Sequence, residues 1–129
     1  MRRLLLMALL VALAPGATAA VALPFRATLT APTHTPKANA RWYYTVTLTD
    51  LRGRPLRGTV TVQIKDPLGT LHYSTYDGTK RNIVNFPLNG RFRDYAQFPS
   101  ESVGFMLTVR VTVKAKGGQR ILAWWIRAR

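Results

Sequence analysis

Apolar and polar positions alternate most clearly in the first half of the chain. Apolar side chains occupy every second position from 42 to 48, with threonine or tyrosine between them. The same period of two, which is typical of a strand with one buried face, returns from 60 to 64. Gly53 and Pro55 lie between the two runs and favour a turn. Residues 41–65 therefore predict a hairpin of two strands joined by an Arg-rich loop.

Weaker alternation predicts further strands along the rest of the chain. They cover residues 25–31, 70–75, 82–87, 91–98, 105–116 and 120–129. The last two predicted strands flank Gly117-Gly118, a two-residue hairpin signal. The side chains assigned to the core include Trp42, Tyr44, Leu122 and Trp124. No helical period of useful length follows the first 20 residues, so the pattern predicts an all-β protein, an antiparallel sandwich of seven or eight strands.

Residues 46–62 carry a resemblance to known proteins. Their sequence, V-T-L-T-D-L-R-G-R-P-L-R-G-T-V-T-V, resembles the second strand, turn and third strand of bacterial immunoglobulin-like modules. The chain also resembles single-domain exported proteins of high-GC bacteria and some small secreted copper-associated sandwich proteins. These resemblances imply an immunoglobulin-like β-sandwich and, from the last group, a copper site. The cysteine pair of antibody-type domains is absent.

The N-terminus has the features of a secretory signal peptide. A basic start, Met1-Arg2-Arg3, precedes the uncharged apolar residues 4–14, and Ala17-Thr18-Ala19 offers small side chains for cleavage. We expect a signal peptide over 1–19, with cleavage as late as residue 22, and a single domain over 20–129. The alternative is an uncleaved leader that anchors the chain, although its apolar run is about half the ~20 residues needed to span a bilayer.

Basic charge is the strongest compositional feature. Lysine and arginine number 19 against five acidic residues, and loss of Arg2 and Arg3 with the leader lowers the net charge from +14 to +12. One predicted cluster lies on the outward face of the last two strands and consists of Arg110, Lys114, Trp125, Arg127 and Arg129, with Lys65 as an extension. A second cluster, in the loop of the predicted hairpin, consists of Arg52, Arg54 and Arg57.

Such clusters predict contact with a polyanion of the cell envelope: a wall polymer, an acidic glycan or anionic lipid. Two alternatives remain open at this level. In the first, the charge serves only solubility and the protection of strand edges. In the second, the protein docks onto an envelope protein through the Tyr43 face, the Trp125 face or a free sheet edge. Sequence-specific nucleic-acid recognition is not expected, because no known reading module is present.

Catalytic and metal-binding patterns are weak. The only histidines are His34 and His72, and Ser74 follows His72 by two residues without a recognised nucleophile motif. The five acidic residues are Asp50, Asp66, Asp77, Asp94 and Glu101. Turn motifs account for three of them. A copper site would draw on His34, His72 and Met106, which show no ligand spacing, and Met106 is interpreted as a core or rim residue. We therefore expect neither enzymatic activity nor a cofactor.

Overall fold

Eight strands and two short 3-10 turns run through residues 22–129, the part of the chain that the computed structural model describes. The strands are β1 (Phe25–Thr30), β2 (Arg41–Asp50), β3 (Arg57–Lys65), β4 (Leu71–Tyr73), β5 (Phe86–Asn89), β6 (Arg91–Gln97), β7 (Met106–Ala115) and β8 (Gly118–Arg127). The turns are η1 (Tyr76–Gly78) and η2 (Ser100–Ser102). No α-helix occurs in this part of the chain. The expected signal peptide, residues 1–19, lies outside the described residues.

All strand pairs are antiparallel, as the sequence predicted. The strands form one continuous hydrogen-bonded sheet in the order β1-β2-β6-β5-β3-β7-β8, with β4 paired to β3. We divide it into two layers on either side of β5, one with the order β1-β2-β6 and the other with the order β4-β3-β7-β8. Strand β5 pairs with the first half of β3 and turns at Gly90 into β6, so it links the layers at one corner. The protein is therefore all-β with antiparallel sheets, consistent with a β-sandwich.

The prediction that residues 41–65 form a hairpin is wrong. Strand β2 pairs with β1 and β6, whereas β3 pairs with β4, β5 and β7. A single bridge between Thr49 and Pro55 is what remains near the turn. Both strands have one apolar face, and the two faces bury most surface when they face each other across a core. The connection therefore crosses from one sheet to the other.

Strands β2 and β3 approach each other closely at Gly58. A Cβ there would lie 2.8 Å from Leu48 Cδ2 and would also collide with the carbonyl oxygen of Lys114. Glycine at this position thus permits the tight packing of β3 between β2 and β7.

Two predicted strands are shorter or shifted. The strand predicted at 70–75 is reduced to Leu71–Tyr73, and the one predicted at 82–87 becomes Phe86–Asn89. Asn85 has a φ of 50°, which ends an extended run, and the buried Ile83 donates its N–H to Ser74. Residues 82–85 therefore form a loop beside β3, where the Ile83 carbonyl accepts the Val62 N–H and Asn85 donates its N–H to Thr61.

The core lies between the two layers. All four apolar residues of β2 are buried there, as predicted, with the valines of β3 and β7 facing them. Trp124 and Leu122 are only half-buried, although both pack against the core as predicted. Ile126 is fully buried, so β8 goes deeper into the core towards its end.

Candidate functional site

Strands β7 and β8 form a regular ladder that sets one basic surface. The ladder runs from Met106 opposite Arg127 to Ala115 opposite Gly118, because the chain reverses at Gly117-Gly118. Every second residue points away from the core. We call the resulting surface the β7–β8 face; it consists of Lys65, Arg110, Lys114, Trp125 and Arg127. The structure thus brings four predicted site residues and Lys65 onto one side of the sheet.

Apolar side chains stand among the charges of this face. Trp125 is 46% exposed, and Ile121 and Met106 are exposed to a similar degree. Met106 lies opposite Arg127 on the outward side at the start of β7, so its interpretation as a core residue is wrong. No acidic residue occupies β3, β7 or β8. The positive charges of this face therefore have no acidic neighbour on their own strands.

Residues 33–38 cover the outer edge of β8 at its C-terminal end. The N–H of Arg127 donates to the His34 carbonyl at 2.8 Å, and the N–H of Arg129 donates to the Pro36 carbonyl at 3.0 Å. Arg129 Nε also donates to the Thr35 carbonyl at 3.1 Å. Arg129 thus lies at the rim of the β7–β8 face, fastened to the covering segment.

Three aromatic rings hold this segment in place. The indole N–H groups of Trp42 and Trp124 both donate to the Thr33 carbonyl, at 2.9 and 3.3 Å. The His34 ring stacks on Trp124 and Trp125, with centroids 4.2 and 4.0 Å apart, and its Nδ1 donates to the Trp125 carbonyl at 2.7 Å. Stacking and hydrogen bonding together fix the orientation of Trp125.

The second predicted cluster does not form a comparable surface. Arg54 makes an ion pair with Asp50, with Nε and Oδ2 3.0 Å apart, and the backbone N–H groups of Arg52 and Arg54 donate to Asp50 Oδ1. These bonds, the Arg54 N–H first, lower the pKa of Asp50. Arg57 begins β3, opposite Asn89. The acidic side chain therefore shapes the loop and already pairs one of its arginines.

The structure separates the expected copper ligands. His34 lies in the segment that pairs with the outer edge of β8, whereas His72 belongs to β4, four strand spacings or about 19 Å away across the sheet. Within residues 22–129 no group of three or more His, Asp or Glu side chains is close enough to hold a metal ion.

A cavity of about 580 Å³ opens between β4 and the end of β6. Its wall includes Asp66, His72 and the buried Ser74. His72 Nε2 lies 2.9 Å from Asp66 Oδ2, and this hydrogen bond is the main cause of the lowered pKa of Asp66. Asp66 Oδ1 also accepts two backbone N–H groups of its own turn, at Leu68 and Thr70. The His–Asp pair therefore stabilises a turn, and among the described residues no hydrogen bond joins His72 to Ser74.

The outward surface of β2 and β6 is a second basic area. The sequence analysis named its Tyr43 side as a docking face but missed its arginines. We call it the β2–β6 face; it consists of Arg41, Tyr43, Arg91, Arg93 and Tyr95. The Arg41 guanidinium lies 4.6 Å from the Tyr95 ring centroid, and Arg93 lies 4.7 Å from that of Tyr43. The two tyrosine rings are neighbours, with centroids 5.6 Å apart. Arg91, Arg93 and Tyr95 do alternate in the sequence, but the apolar spacing of Phe92 and Phe98 obscured that signal.

A buried carboxyl lies on the core side of the same strand. Asp94 is 5% exposed and its two oxygens accept the Asp77 N–H, each at 3.2 Å. Burial raises the pKa of Asp94 above its usual value. Tyr44 lies opposite Asp94 on β2, and burial, then the charge of Asp94, raises the pKa of its hydroxyl. Asp77 and Asp94 line a recess beside Arg41 and Arg93, so they bound the β2–β6 face at one end.

Comparison with protein-family models and with curated protein sequences finds no match for this chain. Among residues 22–129 no helix has the length and apolar character needed to cross a bilayer. We therefore infer function from the two basic faces.

Proposed function

We propose that this chain is an exported, non-enzymatic binding module that attaches to an anionic polymer or anionic lipid of the cell envelope through its β7–β8 face. One observation carries the proposal: Arg110, Lys114 and Arg127 share this face with a half-exposed Trp125, and the strands of the face carry no acidic residue. The leader-like residues 1–19 support export.

The fold within this proposal is an immunoglobulin-like sandwich. Immunoglobulin constant-type domains place their first, second, fourth and fifth strands in one sheet and their third, sixth and seventh in the other. When the short β4 is counted as an extra edge strand, β1, β2 and β6 match the first sheet and β3, β7 and β8 match the second. Strand β5, which would be the fourth strand, departs from this pattern because it pairs along four residues with β3 and only at Asn89 with β6. The strand order supports this assignment independently of the resemblance at residues 46–62.

Electrostatics explains why such a face favours a polyanion. Uncharged outward residues separate Arg110, Lys114 and Arg127 along the two strands, so these charges are spread over the face. A polymer with repeated anionic groups can neutralise several of them at once while it releases its own counterions. The guanidinium groups of Arg110 and Arg127 match carboxylate or phosphate oxygens in a two-bonded geometry. The indole of Trp125 offers an apolar surface for the uncharged part of the ligand. Attachment should therefore depend strongly on salt.

The test is a triple variant, Arg110→Gln, Lys114→Gln and Arg127→Gln, compared with the wild type for binding to isolated envelopes in rising salt. Each neutralised phosphate of a single strand contributes about 0.7 to the slope of log K against log salt. We expect the slope to fall by about 2 and the variant to elute at lower salt.

A matched control removes the same charge elsewhere. Lys37→Gln, Lys80→Gln and Lys116→Gln change three exposed lysines that lie outside the strands. If charge alone matters, both triple variants will lose equal affinity, and the basic face has no special role. Unchanged binding of the first variant would also refute the proposal. The melting temperature of each variant reports whether it has folded.

A second candidate function is docking onto an envelope protein through the same face. The observation that favours it is the exposed apolar group of Trp125, Ile121 and Met106. Aromatic residues and arginine are enriched at protein interfaces. Retention on envelopes in high salt, with loss on Trp125→Ala, would select this candidate, because apolar docking is not screened by salt.

A further inference from the structure

We propose that the β2–β6 face is a second anion-binding site, so that one molecule bridges two chains of a linear phosphodiester polymer. This inference rests on the proposed function of the β7–β8 face and extends it from attachment to cross-linking. It depends on three features: the direction of the two faces, the support of the arginines, and the length of the charged line.

The two faces point in opposite directions. The β7–β8 face is the outer side of one layer, and the β2–β6 face is the outer side of the other. Packed sheets lie about 10 Å apart, and outward side chains on both sides bring the two binding surfaces to roughly 20 Å. A single extended polymer chain cannot lie flat on both surfaces, so simultaneous occupation joins two chains or two distant parts of one chain.

The arginines of the β2–β6 face are held by their neighbours. Arg41 rests on Tyr95, and Arg93 rests on Tyr43, while the two rings support each other. Within residues 22–129 neither arginine forms an ion pair. A side chain that is already ordered loses less conformational entropy when it binds, which favours affinity. These contacts therefore order the side chains of Arg41 and Arg93 in positions where they can bind an anionic ligand.

The third cation extends the face into a line. Arg91 lies opposite Thr47 and Arg41 lies opposite Gln97, so the two ends are six residues apart, or about 20 Å along β6. A line of this length suits an extended polymer with repeated anionic groups better than a single headgroup. All three cations are arginines, whose planar fork binds phosphate through two hydrogen bonds. The exposed Asp77 at one end offsets only one of the three positive charges, so the face keeps a net positive charge.

The experiment uses beads coated with poly(glycerol phosphate) and measures two quantities, protein bound per bead and bead clustering by light scattering. For the wild type we expect clustering that rises with protein and falls again when excess protein occupies every chain singly. The variant Arg41→Gln, Arg91→Gln and Arg93→Gln should still bind single beads but should cluster them at least tenfold less. The β7–β8 triple variant should behave in the same way.

The outcomes separate this inference from the proposed function. The second site is refuted if the β2–β6 variant clusters beads as strongly as the wild type does. It is also refuted if only the control variant, changed at Lys37, Lys80 and Lys116, loses clustering. If the β7–β8 variant binds and clusters normally, the proposed function fails, and bridging through that face fails with it. The conservative variant Arg41→Lys with Arg93→Lys keeps the charge, so it should retain part of the clustering even if glutamine disturbs the sheet. Equal clustering of beads that carry polygalacturonate would refute the assignment to phosphodiesters.

Discussion

The hydrogen bond from Trp42 to the Thr33 carbonyl offers the sharpest test of how this fold positions its candidate site. Trp42 is 2% exposed, and its indole N–H donates to that carbonyl at 2.9 Å. The change Trp42→Phe removes the donor and part of the ring. Loss of the hydrogen bond costs about 1 kcal/mol. Truncation of a buried tryptophan to alanine costs about 3–5 kcal/mol, and phenylalanine keeps most of the ring, so we assign about 1–2 kcal/mol to the smaller ring.

The expected total is a loss of about 2–3 kcal/mol in the free energy of unfolding, measured by urea denaturation followed by circular dichroism. Trp124→Phe is the matched control. Its indole is half-buried and its bond to the same carbonyl is longer, at 3.3 Å, so we expect at most about 1 kcal/mol. A larger loss for Trp124→Phe than for Trp42→Phe would contradict this reasoning.

Hydrogen exchange then tests the link to the β7–β8 face. The amides of Arg127 and Arg129 are protected by the carbonyls of His34 and Pro36, which follow Thr33. If the indole bonds hold that segment, Trp42→Phe should speed exchange at both amides by at least about fivefold, as expected for the roughly 1 kcal/mol assigned to its bond. Unchanged exchange there, together with a fall in global stability, would show that Trp42 supports the core but not the covering segment.

Two further predictions concern the buried carboxyl and the tightest backbone contact. Asp94 has a raised pKa in the folded state, so the folded protein binds that proton more tightly and loses stability as pH rises from the unfolded value through the folded value. Asp94→Asn should therefore be more stable than the wild type at neutral pH, with a difference that vanishes near pH 3; an equal difference at both pH values in urea titrations would contradict this. Gly58→Ala should lower stability by about 1–3 kcal/mol, because its Cβ would meet Leu48 and the Lys114 carbonyl. A melting temperature equal to that of the wild type would show that β3 can shift to make room.

The β7–β8 face shows which parts of a surface can be predicted from the alternation of side chains along a strand. Alternation alone placed Arg110 and Lys114 on one side of β7 and Trp125 and Arg127 on one side of β8, because side chains alternate with a period of two. The glycine pair between the strands then set their register. The geometric part of that prediction is confirmed, whereas the binding role of these residues stays a prediction.

The β2–β6 face could not be found in this way. Arg41 and Tyr43 precede Arg93 and Tyr95 by more than 50 positions, and nothing local indicates that their strands pair. The two strands pair because β2 and β3 lie in different layers, and the local sequence does not predict that separation. That separation brings β6 next to β2 and aligns the two arginine–tyrosine contacts.

The sequence by itself thus determined the strand class, the buried side of each long strand, the turns, and the basic excess of the surface. These properties are local, since they depend on side-chain period and on the backbone preferences of glycine and proline. The local turn motifs also predicted that Asp50 and Asp66 bond backbone N–H groups of their own loops, which is confirmed. Only the tertiary structure decided which strands are neighbours and where Met106 and Arg129 lie. Neighbours are decided by the burial of apolar faces from distant segments against one another, and that free energy belongs to the packed chain and not to any one stretch of it.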